Sequence, residues 1–261
     1  MGIRKRILRR MGYLQDQQGI LNRYFRESSH WRGHLDLTRA FIKSAFTAHT
    51  PGENNADSVA VLGSGWLLDV PLDDLLQSFK KVYLVDINHP PQIRKKVERL
   101  ENVILLEEDL TGGAIEQVWR FTSEKGQGTV EDLIKALRLT PPLTSVAPSA
   151  YISVNLLNQL DIILCDYLSK HCPAETNVLD QFRTLIQSFH LQWVTQKPGC
   201  LITDTREISI HRDGTHEVKS LLFTSLPEGT RSEKWTWDFD TSGTYRSGIR
   251  SRMEVEAVIW S

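Results

Sequence analysis

Short apolar runs alternate with amphipathic stretches between residues 58 and 205, and this alternation constrains the fold more than any other feature of the chain. The apolar runs have the length of buried strands, and the stretches between them repeat apolar residues at helical spacing. Such alternation predicts an α/β fold, a Rossmann-like three-layer sandwich with a mostly parallel sheet. The predicted strands are SVAVL, KVYLVD, NVILLEED, AYISVN and CLITD.

A helical segment precedes this region. In LDLTRAFIKSAF, apolar residues recur at helical spacing and indicate a helix with a broad apolar face: Leu37, Phe41 and Ala45, and likewise Leu35, Ile42 and Phe46. The Pro, Gly, Asn and Asp of AHTPGENNAD, residues 48–57, then predict a loop. We therefore expect an N-terminal helical cap over 1–57 and a Rossmann-like domain over 58–261. Two roles for the cap remain open: packing on the core or at a dimer contact, and closing as a lid over a ligand.

Beyond residue 205 the helical pattern gives way to the β-rich runs VKSLLF, KWTWDF and MEVEAVIW. Strands that end a parallel α/β sheet in place of helices predict an antiparallel edge. Trp235 and Trp237 alternate with polar residues, as the buried side chains of a half-buried strand do. We expect them to pack in the core rather than to stack on a nucleic-acid base.

The strongest local signal for a ligand is VAVLGSGWLLDVPL, residues 59–72, which indicates a buried strand, a turn at Gly63, Ser64 and Gly65, and a helix. Glycine tolerates positive φ and lets the backbone approach a ligand closely. Asp86 ends the second predicted strand and Asp109 the third. Open α/β folds bind ligands at the carboxyl ends of their strands, so this set predicts a nucleoside-bearing ligand there.

With these residues the chain resembles the class I S-adenosylmethionine-dependent methyltransferases, and LLDVPL and LVDINHP are similar to a poorly characterised bacterial methyltransferase-like group. The resemblance implies S-adenosylmethionine as the cofactor. It places the turn at residues 63–65 under the methionine part, Asp86 at the ribose and Asp109 at the adenine amino group. Asn155, at the end of the fourth strand, completes the implied binding set.

The chain departs from the family's pattern at two positions. Val61 stands where the family often has an acidic residue, and Leu67 stands where it has a third glycine. Both changes affect recognition of the methionine end of the cofactor. Asp69 lies close by in sequence and would supply a compensating carboxylate.

The end of the fourth strand, SVNLLNQL, is where the resemblance places the reacting methyl group. Asn155 and Asn158 are candidates for orienting the methyl acceptor, although amides are not general bases at neutral pH. Methyl transfer is accelerated by positioning, so it does not require a dedicated base. His89, just after Asp86, is a third candidate as an acid or base, but His followed by Pro equally fits the start of a helix.

Composition gives no support to several classes of protein. The 31 Lys and Arg nearly balance the 32 Asp and Glu, so nothing signals a nucleic-acid substrate. No apolar run reaches the ~20 residues that span a bilayer. Three cysteines fit a reducing, cytoplasmic location, and Cys165, His171 and Cys172 lack a fourth zinc ligand, so we expect no metal.

Two functions remain open from sequence. The first is a methyltransferase that acts on a small molecule or a protein. The second is a catalytically degenerate, methyltransferase-like cofactor-binding or scaffold protein whose partner surface is the helical cap. Asp86 and Asp109 favour the first, whereas the replacements at Val61 and Leu67 favour the second.

Overall fold

The computed structural model describes residues 3–46, 57–123 and 128–261, so residues 48–56 of the predicted boundary loop lie outside the described residues. The helices are α1 Ile3–Met11, α2 Tyr13–Phe46, α3 Leu72–Ser78, α4 Pro91–Val97, α5 Ala114–Ser123, α6 Val130–Ala136, α7 Ile162–His171 and α8 Thr176–Val194. The strands are β1 Val59–Leu62, β2 Val82–Asp86, β3 Val103–Glu107, β4 Ala150–Val154, β5 Gly199–Ile210, β6 His216–Ser220, β7 Arg231–Asp240 and β8 Arg250–Trp260.

The strands form one mixed sheet in the order β3-β2-β1-β4-β5-β8-β7, with β6 paired to β5. The first five strands are parallel to one another, whereas β6 and β8 run antiparallel to β5, and β7 antiparallel to β8. The predicted fold class, with its antiparallel C-terminal strands, is confirmed. Each predicted strand is present, and β5 is longer than CLITD.

The two faces of the sheet bury different cores. Ala60 and Leu62 of β1 belong to a cluster with residues of α1, α5, α7 and α8. Val59 and Val61, which point to the opposite face, belong to a cluster with residues of α2, α3 and α4. Because successive side chains of a strand alternate, one apolar tetrapeptide joins both layers of helices. All four side chains of this central strand are completely buried.

Helix α2 packs against the antiparallel end of the sheet. Its Trp31 is 2% exposed, and the indole Nε1 donates to the carbonyl oxygen of Phe239 at 3.0 Å. Glu27, four residues earlier, accepts hydrogen bonds from the loop after β7, including one from Thr241 Oγ1 at 2.6 Å. Buried apolar and polar groups on the same face therefore attach α2 to the core.

One residue of the predicted apolar face was placed wrongly. Leu37 is 44% exposed. The other large members of the predicted face are buried as expected: Leu35, Phe41, Ile42 and Phe46. The buried stripe also includes Trp31 and Thr38, and Leu37 lies beside it on the helical wheel. A spacing of four residues drifts around a helix with 3.6 residues per turn, so spacing alone did not locate the edge of the stripe.

Strand β5 continues beyond the parallel part of the sheet. Strand β4 pairs with it only up to Ile202, and from there β5 runs on with β8 to Ile210. The parts of β5, β8 and β7 that extend beyond Ile202 of β5 thus project past the carboxyl edge of the parallel strands. We call this projecting part of the sheet the wall. A β-bulge in β5 leaves Thr205 unpaired with β8, because Asp204 pairs with Val255 and Arg206 with Glu254.

The bulge changes which way the side chains of β5 point. Residues three apart in a regular strand face opposite sides of the sheet. The extra residue at the bulge shifts this alternation by one position. Asp204 and Glu207 therefore point to the same side of the sheet, toward the space between the sheet and α2.

Attachment of α2 to the sheet predicts a large cost for truncating Trp31. We expect Trp31→Ala to lower the free energy of unfolding by about 3–5 kcal/mol, because it removes a buried indole and leaves a cavity. Phe25→Ala, on the exposed face of the same helix where Phe25 is 69% exposed, should change it by less than about 0.5 kcal/mol. Denaturant unfolding measures both. Equal, small effects would show that α2 is not part of the cooperative core.

Candidate functional site

A cavity of about 270 Å³ lies at the carboxyl edge of the parallel strands, between the wall and α2. The loops after β1, β2, β3 and β4 all contribute to its lining. His89 is not one of the described residues that line it. The structure does bring together the other predicted site residues, which are Gly63, Ser64, Gly65, Asp86, Asp109, Asn155 and Asn158.

Glycine is required at the turn after β1 for a steric reason. Gly63 has φ +80°, and a Cβ there would lie 2.8 Å from the carbonyl oxygen of Val154 on β4. Gly65 has φ +42°, and its backbone N–H donates to Asp86 Oδ2 at 2.8 Å. The turn is therefore packed tightly on β4 and is tied to the carboxylate at the end of β2.

Leu67 has a backbone conformation that favours glycine. Its φ is +55°, in the left-handed region, and its N–H donates to the carbonyl oxygen of Ser64 at 2.9 Å. Such a conformation costs a non-glycine residue about 1 kcal/mol or more. Burial of the leucine side chain, which is 6% exposed, offsets that cost. The turn after β1 thus continues through a buried leucine in the left-handed region.

Asp86 retains room to accept further hydrogen bonds. Oδ1 accepts from Ile87 N and Oδ2 from Gly65 N, both at 2.8 Å, and the backbone of Asn88 also donates to this carboxylate, which offers about four acceptor sites in all. Burial raises the pKa of this carboxyl group. His89 lies outside the cavity and is 2% exposed, with Nε2 3.1 Å from the carbonyl oxygen of Leu106. Burial lowers the pKa of His89, which favours a neutral ring.

Asp109 combines a structural contact with its place in the cavity wall. Its Oδ1 accepts from the backbone N–H of Thr111 at 2.9 Å and from the Thr111 hydroxyl, which in turn accepts from Ala114 N. These bonds organise the start of α5. Burial raises the pKa of Asp109. A second cavity of about 470 Å³ adjoins the first one at Asp109. It is lined by Asp109, by Ile87 and Ile115 and by residues of α1.

Tyr13, the first residue of α2, lines the Asp109 end of the cavity. Its buried hydroxyl has no hydrogen-bond partner within the described part of the chain. Burial, followed by the charge of Asp109, raises its pKa well above the usual value. A buried phenol without a partner is costly, so this hydroxyl is available to a ligand.

Asn155 is held by neighbours from two distant segments. Its φ is +47°, a conformation that asparagine tolerates better than most residues. Its Nδ2 donates to Asp69 Oδ2 at 2.6 Å and lies 3.3 Å from Nε2 of His34. Its buried Oδ1 has no partner in residues 3–46, 57–123 or 128–261. Asp69, singled out from sequence as a compensating carboxylate, thus lies in the cavity and positions this amide.

The ring of His34 is neutral and its tautomer follows from its neighbour. Burial lowers the pKa of His34 to about 3. Trp235 Nε1, which can only donate, lies 3.1 Å from His34 Nδ1. The proton of the neutral ring is therefore on Nε2. Because Nε2–H and the Asn155 amide nitrogen are both donors, the 3.3 Å contact between them is not a hydrogen bond. The ring of His34 also stacks on Trp237 with centroids 4.0 Å apart, so Trp237 packs as predicted while also lining the cavity.

Asp204 is the main functional candidate that sequence reasoning missed. It is 5% exposed, accepts from Trp237 Nε1 at 3.0 Å, and is hydrogen-bonded to Asn158. Burial raises its pKa to about 7, opposed by the Trp237 bond and reinforced by the charge of Glu207. The signal was present in the sequence, because Asp204 ends the predicted strand CLITD just as Asp86 ends KVYLVD.

The cavity is strongly acidic. Its described lining residues include one arginine, Arg23, and no lysine. The guanidinium of Arg23 lies 4.3 Å from the ring centroids of both Phe239 and Tyr245, and its Nε has no partner among the described residues. This excess of negative charge favours a cationic occupant. The seven carboxylates of the lining are Asp16, Asp69, Asp86, Glu108, Asp109, Asp204 and Glu207.

The described residues contain no group of three His, Cys, Asp or Glu side chains placed to hold a metal ion. Cys165, Cys172 and Cys200 are free thiols in the described structure. None of the described helices is long and apolar enough to cross a membrane.

The glycine turn after β1, the acid at the end of β2 and the antiparallel strands beside β5 form the arrangement that the sequence resemblance implied. The chain has a Rossmann-like fold whose mostly parallel sheet ends in antiparallel strands. No family profile matches the sequence, and no curated protein matches it either.

Solved structures show only remote similarity. The N-methyltransferase NodS from Bradyrhizobium japonicum WM9 is 10% identical over 86% of each chain, with a TM-score of 0.36. The amino pentose methyltransferase CalS10 from Micromonospora echinaspora is 15% identical over 90% of this chain and 81% of its own, with a TM-score of 0.31. A precorrin 8w decarboxylase from Methanobacterium thermoautotrophicum is 13% identical over 88% of this chain and 89% of its own, with a TM-score of 0.30. Similarities this remote say nothing about the activity of the present chain.

The raised pKa of Asp204 predicts a pH-dependent contribution to stability that Asp204→Asn should remove. The native carboxyl group keeps its proton up to about pH 7, whereas the unfolded one releases it near the ordinary aspartate pKa of 3.8. The native state therefore binds more protons in this window, and rising pH takes away up to about 4 kcal/mol of stability. Asparagine does not titrate and still accepts the Trp237 bond.

Unfolding by denaturant at several pH values between 4 and 8 measures this effect as the difference between the wild type and Asp204→Asn. Asp238→Asn is the matched control, because Asp238 lies on the outer side of β7 and pairs with Arg252 at 2.8 Å. Parallel stability curves for the wild type and Asp204→Asn would show that the carboxyl group titrates normally.

Proposed function

We propose that this protein is an S-adenosylmethionine-dependent methyltransferase that acts on a small molecule or a protein. The observation that carries the proposal is the bond from Gly65 N–H to Asp86 Oδ2, which fixes the glycine turn against the strand-end carboxylate inside the cavity. Asp109 and Asn155 reach the same cavity from β3 and β4. Bound S-adenosylmethionine supplies an activated methyl group on a positively charged sulfur.

The residues present fit this cofactor. Two buried polar atoms of residues that line the cavity, the Tyr13 hydroxyl and Asn155 Oδ1, have no partner among the described residues and are available to a polar ligand. The acidic lining suits a molecule that carries a sulfonium and an ammonium group. Asp86 has an acceptor site left for a ribose hydroxyl, and Asp109 would accept from the adenine amino group.

The substrate class follows from what surrounds the site. The chain has a formal net charge of −1, and the described lining of the cavity is acidic, which disfavours a polyanionic nucleic acid. A small molecule or a protein side chain remains. The free thiols support a reducing location, and we place the protein in the cytoplasm.

A second candidate is a catalytically degenerate protein that binds the cofactor without transferring its methyl group. Val61 favours this candidate, because the position of the family's acidic residue is here a completely buried valine of β1. The two candidates differ in methyl transfer and agree in cofactor binding. Incorporation of labelled methyl groups into the small molecules or proteins of a cell extract would favour the enzyme. Binding without any incorporation would favour the degenerate protein.

Cofactor binding by Asp86 is tested with Asp86→Ala. The carboxylate is expected to make a charged hydrogen bond to the ribose, worth roughly 1.5–3 kcal/mol. We therefore expect the variant to bind S-adenosylhomocysteine at least about tenfold more weakly in calorimetry. Asp73→Ala, which removes an exposed carboxylate in the first turn of α3, is the control and should bind like the wild type. An unchanged Kd for Asp86→Ala would remove Asp86 from the binding site.

A further inference from the structure

The wall formed by β5, β8 and β7 gives the cavity a second end with its own chemistry. We call this the wall end and define it by Asp204, Glu207, Trp237 and Phe239, which all line the cavity. It adjoins Asn155 through Asp69, which is bonded to the Asn155 amide and contributes to the electrostatic environment of Asp204. A group bound at the wall end therefore lies next to the strand-four residue where the reacting methyl group is expected.

The two carboxylates of the wall end differ in how they are neutralised. Glu207 pairs with Arg246, whose Nη2 lies 2.9 Å from Oε2, and accepts from the hydroxyl of Ser251. Asp204 has neutral partners only, Trp237 and Asn158, and forms no ion pair with any described residue. A carboxylate that is 95% buried without a cation is costly. A cationic ligand would supply the missing charge.

Aromatic rings line the same end, and they already hold one cation. The guanidinium of Arg23 lies over the rings of Phe239 and Tyr245, and the charges of Asp16 and Asp240 act on it. Aromatic faces next to carboxylates bind ammonium groups in the same way. The indole of Trp237 contributes both a ring to the lining and the N–H that fixes Asp204.

We propose that the methyl acceptor is an amine that enters as an ammonium ion, and that Asp204 binds it at the wall end and removes its proton. This inference rests on the proposed function. The Asp204 carboxylate takes one proton from the ammonium ion, which leaves a neutral amine with a free lone pair. That lone pair forms the new N–C bond to the methyl carbon of the donor as the C–S bond breaks, and the electrons of that bond stay on sulfur. Asp204 then releases its proton to water.

The protonation behaviour of Asp204 suits this role. Burial raises its pKa to about 7, close to the pH at which a general base is most effective. The charges that act on it come from Glu207 on β5 and Asp69 in the loop after β1. Strand β7 contributes the Trp237 N–H, the turn after β4 contributes Asn158, and β8 contributes the apolar Met253 to the lining.

The test uses three probes of one shape and different charge, benzylamine, benzyl alcohol and benzoate. Each is titrated by calorimetry into the full chain saturated with S-adenosylhomocysteine. We expect benzylamine to bind at least tenfold more tightly than the other two, because only its ammonium group pairs with Asp204. Its affinity should rise as pH increases through 7 and fall again where the amine loses its own proton. Equal affinity for benzylamine and benzyl alcohol would overturn the inference.

Two variants assign the effect to Asp204. Asp204→Asn keeps the acceptor for Trp237 and loses the charge, so we expect benzylamine to lose roughly tenfold to hundredfold in affinity. The control Asp238→Asn changes a carboxylate on the outer side of β7 and should bind like the wild type. Trp237→Phe keeps a ring and removes the N–H that stabilises the carboxylate. It should shift the midpoint of the pH dependence upward, a change that general destabilisation would not cause.

A last comparison separates an ammonium group of the substrate from that of the cofactor. S-adenosylhomocysteine carries an ammonium group, and 5′-methylthioadenosine has the same nucleoside without it. If Asp204→Asn weakens binding of S-adenosylhomocysteine but leaves binding of 5′-methylthioadenosine unchanged, Asp204 binds the ammonium group of the cofactor and the inference is wrong. If benzylamine binds through Asp204 while S-adenosylhomocysteine does not bind at all, the wall end is an amine site and the proposed methyltransferase function fails separately.

Discussion

The complete burial of β1 is the constraint on which the rest of the structure depends. Its four apolar side chains contact helices on both faces of the sheet, so it occupies the centre and its neighbours are β2 and β4. A strand buried on both faces has no place for polar side chains except at its end. The glycine turn after Leu62 consequently lies at the middle of the carboxyl edge, and Asp86 and Asn155 reach it from either side.

The electrostatics of the site and its stability are closely linked. Burial raises the pKa values of Asp16, Asp69, Asp86, Asp109 and Asp204, all of which line one cavity. Grouping carboxylates in this way costs folding free energy, because each charged form loses water and repels its neighbours. A cationic occupant would lower these pKa values and recover part of that cost. These carboxylates therefore lower the stability of the unliganded protein, which is a common feature of binding sites.

Helix α2 connects the two halves of the site. Tyr13 lies at the Asp109 end, Arg23 lies against the aromatic rings of the wall, and His34 lies beside Asn155. Over the 34 residues of the helix, one face thus borders the cavity for much of its length. The bonds from Trp31 to Phe239 and from the loop after β7 to Glu27 fix this position. A helix held in this way acts as a wall of the site in the structure described, and any motion as a lid would have to break these buried contacts.

The sequence by itself determined the elements that depend on neighbouring residues. The apolar runs predicted the strands, and the Gly-Ser-Gly turn and the strand-end residues Asp86 and Asp109 were recognisable because each is defined within a few positions. The structure places all of them at one edge because parallel strands share a direction. Whether these residues bind the cofactor stays a prediction.

Only the tertiary structure decided the contacts between residues far apart in the chain. The contacts of His34 with Asn155 and Trp235 span more than a hundred positions, and no local pattern encodes them. The bulge at Thr205 turns Asp204 and Glu207 to one side, against the alternation that a regular strand predicts. Burial then gives Asp204 its unusual pKa, a property of its surroundings and not of the residue. Local sequence specifies where a strand ends, whereas the packing of distant segments around that end decides the chemistry available there.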